Sequence, residues 1–298
     1  MRGIDNFSTG YPGNIADIKS RMDFREADLL DRAALREACA GVDYVLHQAA
    51  LPSVPRSVAD PHCSHESNLT GTLNLLAAAR DAGVKRVVYA SSSSAYGETP
   101  TLPKHEDMPP DPISPYAVQK LGGEYYMKSF YKVYGLETVS LRYFNVFGPF
   151  QDPGSEYSGV LAKFCLKMLR GEAVQIYGDG EQSRDFTYID NTVLANFLAA
   201  TAPAQDVAGR TFNIACGGRI TLNHAARLLQ KITGSDSEIV HQAPRVGDIR
   251  HSFADIGLAE KFLAYHPQVN FQDGLARTVD WYRQLMADQP VREVWLGA

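Results

Sequence analysis

Short apolar runs alternate with amphipathic stretches through the first half of the chain. Three runs rich in valine, leucine and tyrosine predict buried β-strands, at residues 43–47, 86–90 and 138–143. Three stretches with helical composition and spacing predict α-helices, at residues 31–40, 68–82 and 115–134. Ser114 and Pro115 mark the start of the last helix, and Gly135 marks its end. This alternation predicts an α/β fold with a doubly wound, Rossmann-type parallel sheet.

The pattern becomes more mixed in the second half, where apolar runs and helical stretches no longer alternate regularly. We therefore divide the chain into a first domain, residues 1–148, and a smaller mixed lobe, residues 149–298, which partly returns to the sheet. The 298 residues are 45% hydrophobic and 21% charged with a net charge of −5, which is typical of a globular protein and argues against a nucleic-acid partner.

The cysteines and the lack of long apolar runs narrow the location of the protein. No two of the four cysteines have metal-ligand spacing, so we expect reduced thiols and no metal site. No run of about 18 apolar residues and no secretory signal is present, so we expect a cytoplasmic protein without a membrane partner.

Tyr116 and Lys120 are the first candidate catalytic residues. Positions four apart share one face of a helix, so the phenol and the ammonium group point the same way. A nearby cation favours the phenolate and lowers the tyrosine pKa, which makes a base that works near neutral pH. Taken alone, the same spacing also fits a surface cation–phenol pair.

A run of four serines follows the predicted strand that ends at Ala90. Ligands of α/β sheets bind beyond the carboxyl ends of strands, where a serine hydroxyl can form a hydrogen bond with a ligand oxygen. A polar loop is the alternative interpretation. The position of the run, about twenty residues before a capped helix with Tyr116 and Lys120, favours a site.

These motifs and others, in order along nearly the whole chain, resemble the extended short-chain dehydrogenase/reductases that act on nucleotide sugars. Within that family the chain most resembles the UDP-N-acetylglucosamine 4-epimerases. The resemblance is carried by residues 3–10, 47–50, 68–72, 90–97, 114–120, 141–149, 178–180, 183–190 and 245–252.

The resemblance implies a transient oxidation of the sugar at C4. Tyr116 is implied to be the base, Lys120 to lower its pKa and hold the nicotinamide ribose, and Ser92 and Ser93 to bond the reacting oxygen. The hydride passes to NAD⁺ and returns to the other face of the sugar. The alternatives are epimerases of UDP-glucose or UDP-uronic acids, a decarboxylase, and a catalytically silent binding protein. Serines stand where related dehydratases carry an Asp-Glu pair, which disfavours dehydration.

Asp5, at the end of a predicted strand, is the main cofactor candidate. A carboxylate there fits the adenosine ribose and disfavours a 2′-phosphate, which favours NAD over NADP, although a turn-forming Asp-Asn pair is an alternative. The resemblance implies further cofactor contacts from Asn6, Ser8, Thr9, Gly10, Asp28, Leu29, Gln48, Ala49, Ala50, Asn68 and Tyr143. Asn68 fits a helix N-cap equally well.

The resemblance also implies the residues that bind the UDP-sugar. Arg184 and Arg245 are candidates for the diphosphate, because a guanidinium recognises phosphate in a bidentate way. Asn145, Tyr177, Asp248 and Ser252 are further implied contacts. A serine at 252, where epimerases restricted to non-acetylated hexoses carry tyrosine, leaves room for a 2-acetamido group. Residues 178–180 predict a tight hairpin turn.

The chain departs from the family pattern at its start. The family begins with a strand, a Gly-x-x-Gly-x-x-Gly loop and a helix, whereas Met1 falls inside the segment that matches the second strand. We expect this unit of about 30 residues to be missing, and with it the loop and helix N-terminus that hold the pyrophosphate. Under this hypothesis of truncation, we expect the chain as written to be inactive.

The resemblance also implies a homodimer formed by the helices at 68–82 and 115–134. The apolar residues of these two helices fit the protein core equally well.

Overall fold

The structure, a computed structural model, describes residues 1–152, 159–244 and 250–287. Its strands are β1 (Arg2–Asp5), β2 (Asp23–Glu26), β3 (Tyr44–His47), β4 (Arg86–Ser92), β5 (Glu137–Tyr143), β6 (Val146–Phe147), β7 (Val174–Tyr177), β8 (Ser183–Arg184), β9 (Thr187–Tyr188), β10 (Arg210–Ile214), β11 (Ile220–Thr221), β12 (Ile239–Gln242) and β13 (His251–Ser252).

The α-helices alternate with these strands through the first half. They are α1 (Ala16–Lys19), α2 (Arg32–Cys39), α3 (Val54–Ala59), α4 (Pro61–His65), α5 (Gly71–Asp81), α6 (Pro115–Tyr134), α7 (Val160–Leu169), α8 (Ile189–Thr201), α9 (Ala204–Val207), α10 (Leu222–Thr233), α11 (Gly257–Leu263) and α12 (Phe271–Ala287). None of the helices in the described ranges is both long and apolar enough to span a membrane.

The main sheet is parallel, with the order β10-β5-β4-β3 and helices on both faces. Successive side chains of a strand point to opposite faces. Val87 and Tyr89 of β4 pack with α2, α5 and α6, whereas Val88 packs with α8 and α11 on the other face. The prediction of a doubly wound α/β fold is confirmed.

Strands β1 and β2 form a separate two-stranded parallel sheet. Ile4 of β1 and Val45 and Leu46 of β3 line one cavity, and no strand of the described residues lies between β1 and β3. Leu46 is accordingly 51% exposed.

The second half has a core of its own and also contributes to the main sheet. Its core includes Ile176, Leu229 and Tyr282, and Phe147 of β6 packs among them. β10 pairs with β5, and α8 and α11 pack on the main sheet. The division of the chain at residue 148 stays a prediction.

Helix α6 has the predicted ends. The Ser114 hydroxyl accepts a hydrogen bond of 3.2 Å from the Ala117 N–H, which satisfies one of the free donors of the first turn. Gly135 ends the helix at φ 74°, a left-handed conformation that glycine adopts at little cost. These predictions are confirmed.

The hairpin predicted at residues 178–180 is wrong. Gly178 and Gly180 do form a turn, with φ of 83° and 76°. The strands on either side of it belong to different sheets, because β7 pairs with β12 while β8 pairs with β11 and β13. A local turn signal cannot distinguish these two outcomes.

Candidate active site

Tyr116 and Lys120 lie on the same side of α6, at the carboxyl end of β4. Lys120 Nζ is 6.0 Å from the centroid of the Tyr116 ring and 5.0 Å from that of Tyr89. The Lys120 ammonium donates a hydrogen bond of 2.8 Å to the backbone oxygen of Ala90. This lysine is buried, so the contact fixes its charge beside the end of β4.

Burial shifts the pKa values of both members of this pair. Burial lowers the pKa of Lys120 from 10.5 to about 8. Burial also raises the pKa of Tyr116 above 10.0, and a hydrogen bond with Ser92 acts in the opposite direction. The prediction that Lys120 lowers the pKa of Tyr116 stays a prediction, because desolvation is the largest influence on the Tyr116 pKa and the ammonium group is directed at Ala90.

The serines of the run differ in their contacts. Ser92 is half-buried, interacts with Tyr116 and accepts a hydrogen bond of 3.2 Å from the Ser94 N–H. Ser93 is also half-buried and opens a 3₁₀ turn, Ser93–Tyr96. Ser91 is buried and donates to the Glu124 carboxylate instead. Only part of the serine run is therefore available to a ligand.

Glu124 is a supporting residue that the sequence analysis missed. Its two carboxylate oxygens accept hydrogen bonds of 2.8 and 2.7 Å from Arg142, and both side chains are buried. The Arg142 guanidinium also lies 4.6 Å from the centroid of the Tyr96 ring. This pair joins α6, β4 and β5 behind the catalytic candidates. Glu124 follows Lys120 by four residues, and this spacing could have indicated that both lie on the same face of α6.

A cavity of about 390 Å³ borders β1 and β3. It is lined by ten of the predicted cofactor residues, which are Asp5, Asn6, Ser8, Thr9, Gly10, Asp28, Leu29, Gln48, Ala49 and Ala50. Leu51, His47 and Ser67, which were not predicted, also line it. The structure therefore brings most of this predicted set together.

The chemistry of the cavity fits the adenosine part of NAD. Asp5 accepts a hydrogen bond of 2.7 Å from the Phe7 N–H, and Asn6 donates one of 2.7 Å to Asp28. Both carboxylates line the cavity, where they can accept from ribose hydroxyls and would repel a 2′-phosphate. Leu29 supplies an apolar wall suited to a base.

Gln48, Tyr143 and Asn196 form a closed triangle of hydrogen bonds. The Tyr143 hydroxyl donates a hydrogen bond of 3.2 Å to Gln48 and accepts one of 2.7 Å from Asn196. Gln48 in turn donates a hydrogen bond of 2.9 Å to Asn196. Burial raises the pKa of Tyr143 to about 12, so this phenol is neutral. Asn196 comes from α8, far away in sequence, and was not predicted.

Asn68 is placed differently from its prediction. It lies inside a π-helical turn, Glu66–Thr70, that continues into α5, so it is not an N-cap. Its buried side chain accepts 2.7 Å from the Leu51 N–H and lies 2.8 Å from the Gln119 amide. Leu51 lines the cavity but Asn68 does not, so Asn68 supports the wall from behind.

The predicted substrate residues lie on short strands of the second half. Ser252 is the direct neighbour of Arg184 in the β13–β8 pair. Tyr177 ends β7, and Asn145 donates 3.1 Å to the Asp185 backbone oxygen. Arg184 itself donates 3.0 Å to the Ser183 backbone oxygen. Arg245 and Asp248 lie outside the described residues.

The described residues contain no group of side chains suited to bind a metal ion. Across residues 1–152, 159–244 and 250–287, no three His, Cys, Asp or Glu side chains are placed to share a metal ion.

The chain is similar to known proteins over nearly its whole length. It is 37% identical to a UDP-glucose 4-epimerase of Mycolicibacterium smegmatis over 94% of this chain and 90% of that protein. A solved structure of a UDP-N-acetylglucosamine 4-epimerase from Methanobrevibacter ruminantium M1, in complex with UDP-N-acetylmuramic acid, matches with a TM-score of 0.91 and 40% identity, over 96% of this chain and 91% of that one.

A further solved structure contains the cofactor. The Thermus thermophilus UDP-glucose 4-epimerase in complex with NAD matches with a TM-score of 0.84 and 35% identity, over 95% of this chain and 90% of that one. A family model described as the NAD dependent epimerase/dehydratase family matches residues 1–215. The chain belongs to the NAD dependent epimerase/dehydratase family, whose cofactor is NAD.

Proposed function

We propose that the chain is a UDP-sugar 4-epimerase that works with bound NAD. The observation that carries this is the convergence of Tyr116, Lys120 and Ser92 at the carboxyl end of β4. Strand β3 lies beside β4, with His47 opposite Tyr89. Because His47 also lines the cofactor cavity, the catalytic candidates and this cavity lie at neighbouring strands. The relatives named above are 4-epimerases of two different UDP-sugars.

The side chains divide the proton chemistry between them. Tyr116 takes the proton from the sugar hydroxyl and later returns it, while Ser92 donates a hydrogen bond to the reacting oxygen. Lys120 holds a positive charge near the phenol, which favours the phenolate at the moment when the proton moves. The cavity beside β1 and β3 would hold NAD, which would supply the hydride acceptor and donor for this chemistry.

The sugar nucleotide lies along the second half in this proposal. Arg184 and Arg245 hold the diphosphate, with Asn145, Tyr177 and Asp248 beside it. We infer that the substrates are UDP-N-acetylglucosamine and UDP-N-acetylgalactosamine. The support is the small side chain of Ser252 next to Arg184, which leaves space for a 2-acetamido group.

Product analysis tests the reaction and the substrate together. The protein is incubated with NAD and UDP-N-acetylglucosamine. The sugar nucleotides are then separated, and their molecular masses are determined by mass spectrometry. Formation of UDP-N-acetylgalactosamine at unchanged mass is expected. A product lighter by water would contradict epimerisation and favour a dehydratase. Loss of carbon dioxide from a UDP-uronic acid, assayed in parallel, would favour a decarboxylase. Turnover of UDP-glucose alone would contradict the acetylated substrate.

We also propose a homodimer that uses one face of α6. Val118 and Tyr125 lie two turns apart on this face and are 52% and 58% exposed, and Val58 of α3 is 63% exposed. By contrast, Leu75 and Leu76 of α5 are buried in the core. Sedimentation equilibrium is expected to give a dimer mass, and Tyr125→Glu is expected to shift it to the monomer. A wild-type monomer would contradict this proposal.

A further inference from the structure

Asp185 is a buried carboxylate that the proposed chemistry does not use. It is 1% exposed. One carboxylate oxygen accepts a hydrogen bond of 2.9 Å from the Cys216 N–H. The other accepts hydrogen bonds of 3.1 Å from the Gly217 N–H and 3.3 Å from the Ala254 N–H. These donors belong to the loop after β10 and to the segment after β13. One side chain therefore joins two separate segments to the end of β8.

The segments that meet at Asp185 carry the residues proposed to bind the sugar nucleotide. Arg184 directly precedes Asp185, and Ser252 lies two residues before Ala254. Asn145 donates 3.1 Å to the backbone oxygen of Asp185. A change in the Asp185 contacts would therefore move these three residues relative to one another.

The ionised form of Asp185 is the one that suits these contacts. A carboxylate offers two oxygens and about four acceptor positions, whereas an amide offers one oxygen and adds two donors. Burial raises the pKa of Asp185 to about 6, against the effect of the backbone hydrogen bonds. At pH 7 most of the molecules therefore hold a buried negative charge, although burial disfavours it.

We propose that Asp185 is a positioning residue for sugar-nucleotide binding, and that its carboxylate sets the spacing of Arg184, Asn145 and Ser252. The proposal rests on the proposed UDP-sugar function. Tyr116, Lys120 and Ser92 lie on α6 and β4, which do not contact the Asp185 carboxylate through these hydrogen bonds. Loss of the carboxylate should therefore weaken binding of the sugar nucleotide and leave the chemical step nearly unchanged.

Asp185→Asn is the direct test, measured with NAD and UDP-N-acetylglucosamine. An N–H left without an acceptor has a cost that corresponds to a rise in KM of about tenfold. We expect this rise in KM with kcat and the affinity for NAD close to wild type.

Glu137→Gln is the matched control. It removes the 2.6 Å ion pair with Arg86 at the opposite end of the sheet. It is expected to lower stability without changing KM, which separates positioning from a general loss of fold.

The wild-type protein provides a second test that needs no Asp185 variant. As the pH falls through about 6, the Asp185 carboxylate gains a proton and loses acceptor capacity. KM for UDP-N-acetylglucosamine, whose diphosphate diester does not titrate in this range, is expected to rise about fourfold between pH 7.5 and pH 5.5. Circular dichroism at both pH values checks that the fold is retained.

Other groups around Asp185 must be separated from it in this pH profile. The titratable and charged neighbours are Arg184, Cys216, Arg219, His251, Glu260 and Tyr265. Of these six, only histidine has an ordinary pKa near 6. His251 is bonded to the Ser183 hydroxyl at 2.9 Å. The rise in KM is expected to persist in His251→Asn.

Three results would overturn the proposal. An unchanged KM in a folded Asp185→Asn protein would do so. A fall in kcat and in NAD affinity as large as the rise in KM would also do so. A pH profile that becomes flat in His251→Asn would assign the titration to His251. If the wild-type protein binds NAD but turns over no UDP-sugar, the proposed function fails first, and the role of Asp185 fails with it.

Discussion

The ammonium group of Lys120 donates a hydrogen bond of 2.8 Å to the backbone oxygen of Ala90. This contact joins the second turn of α6 to the end of β4, so the helix and the strand position the catalytic candidates on rigid elements. Ser92 lies two residues beyond Ala90 and Tyr116 one turn before Lys120. The geometry of the site therefore depends on how closely α6 approaches β4.

The approach of α6 to β4 gives the first prediction. A Cβ on Gly123 would lie 2.5 Å from Cζ of the fully buried Tyr89 ring, whereas a Cβ on Gly122 would meet only the flexible end of Leu69, at 3.1 Å. Gly123→Ala is expected to destabilise the fold by about 1–3 kcal/mol and to lower kcat as α6 moves outward. Gly122→Ala, the control, should be near neutral. Equal effects in thermal denaturation would contradict this picture.

The pKa of Lys120 predicts a pH-dependent stability. The folded pKa of about 8 lies below the ordinary 10.5, so the wild-type fold gains stability as pH rises through this window. Lys120→Met lacks this titration. The stability of the variant relative to wild type is therefore expected to be about 2 kcal/mol less favourable at pH 10 than at pH 7. Urea unfolding at both pH values measures this difference, and a pH-independent difference would contradict it.

The buried pair of Glu124 and Arg142 predicts a large loss of stability. Glu124→Gln leaves the Arg142 guanidinium buried beside a neutral partner, which costs about 3 kcal/mol. Asp81→Asn breaks an exposed ion pair with Arg80 and should cost less than about 1 kcal/mol. Chemical denaturation of both variants measures the contrast, and similar values for the two would show that the buried pair has no special weight.

Ser252 predicts a change in substrate preference. Ser252→Tyr places a large ring beside Arg184, where the 2-acetamido group is proposed to lie. We expect loss of turnover of UDP-N-acetylglucosamine while turnover of UDP-glucose is retained, and we expect Ser252→Ala to retain both. Relative kcat/KM values measure this, and equal losses on the two sugars would remove the role of Ser252 as a size gate.

The sequence predicts elements and motifs better than it predicts tertiary partners. Helix α6 was predictable because Ser114, Pro115 and Gly135 act locally on the backbone. The N-cap interpretation of Asn68 was wrong, because its side chain bonds the backbone of Leu51, 17 residues earlier, which no local pattern reveals. The raised pKa of Tyr116 has the same origin, since burial depends on the packed structure.

The same limit explains two further residues. The spacing of Glu124 from Lys120 was visible, but its partners Ser91 and Arg142 meet it only in the folded sheet. Asp185 lies in a motif that carries the family resemblance, yet its function depends on backbone N–H groups at Cys216, Gly217 and Ala254. Motifs indicate the candidate site, whereas the contacts that hold its residues in place are visible only in the structure.

The most direct measurement of the central claim is the conversion of UDP-N-acetylglucosamine by wild-type and Tyr116→Phe proteins with NAD. We predict formation of UDP-N-acetylgalactosamine by the wild type, with a loss of about a thousandfold in kcat in Tyr116→Phe. Tyr125→Phe, an exposed control on the same helix, should retain activity. Equal activity of wild type and Tyr116→Phe, or a folded wild type that binds NAD and forms no epimer of any UDP-sugar, would contradict the account.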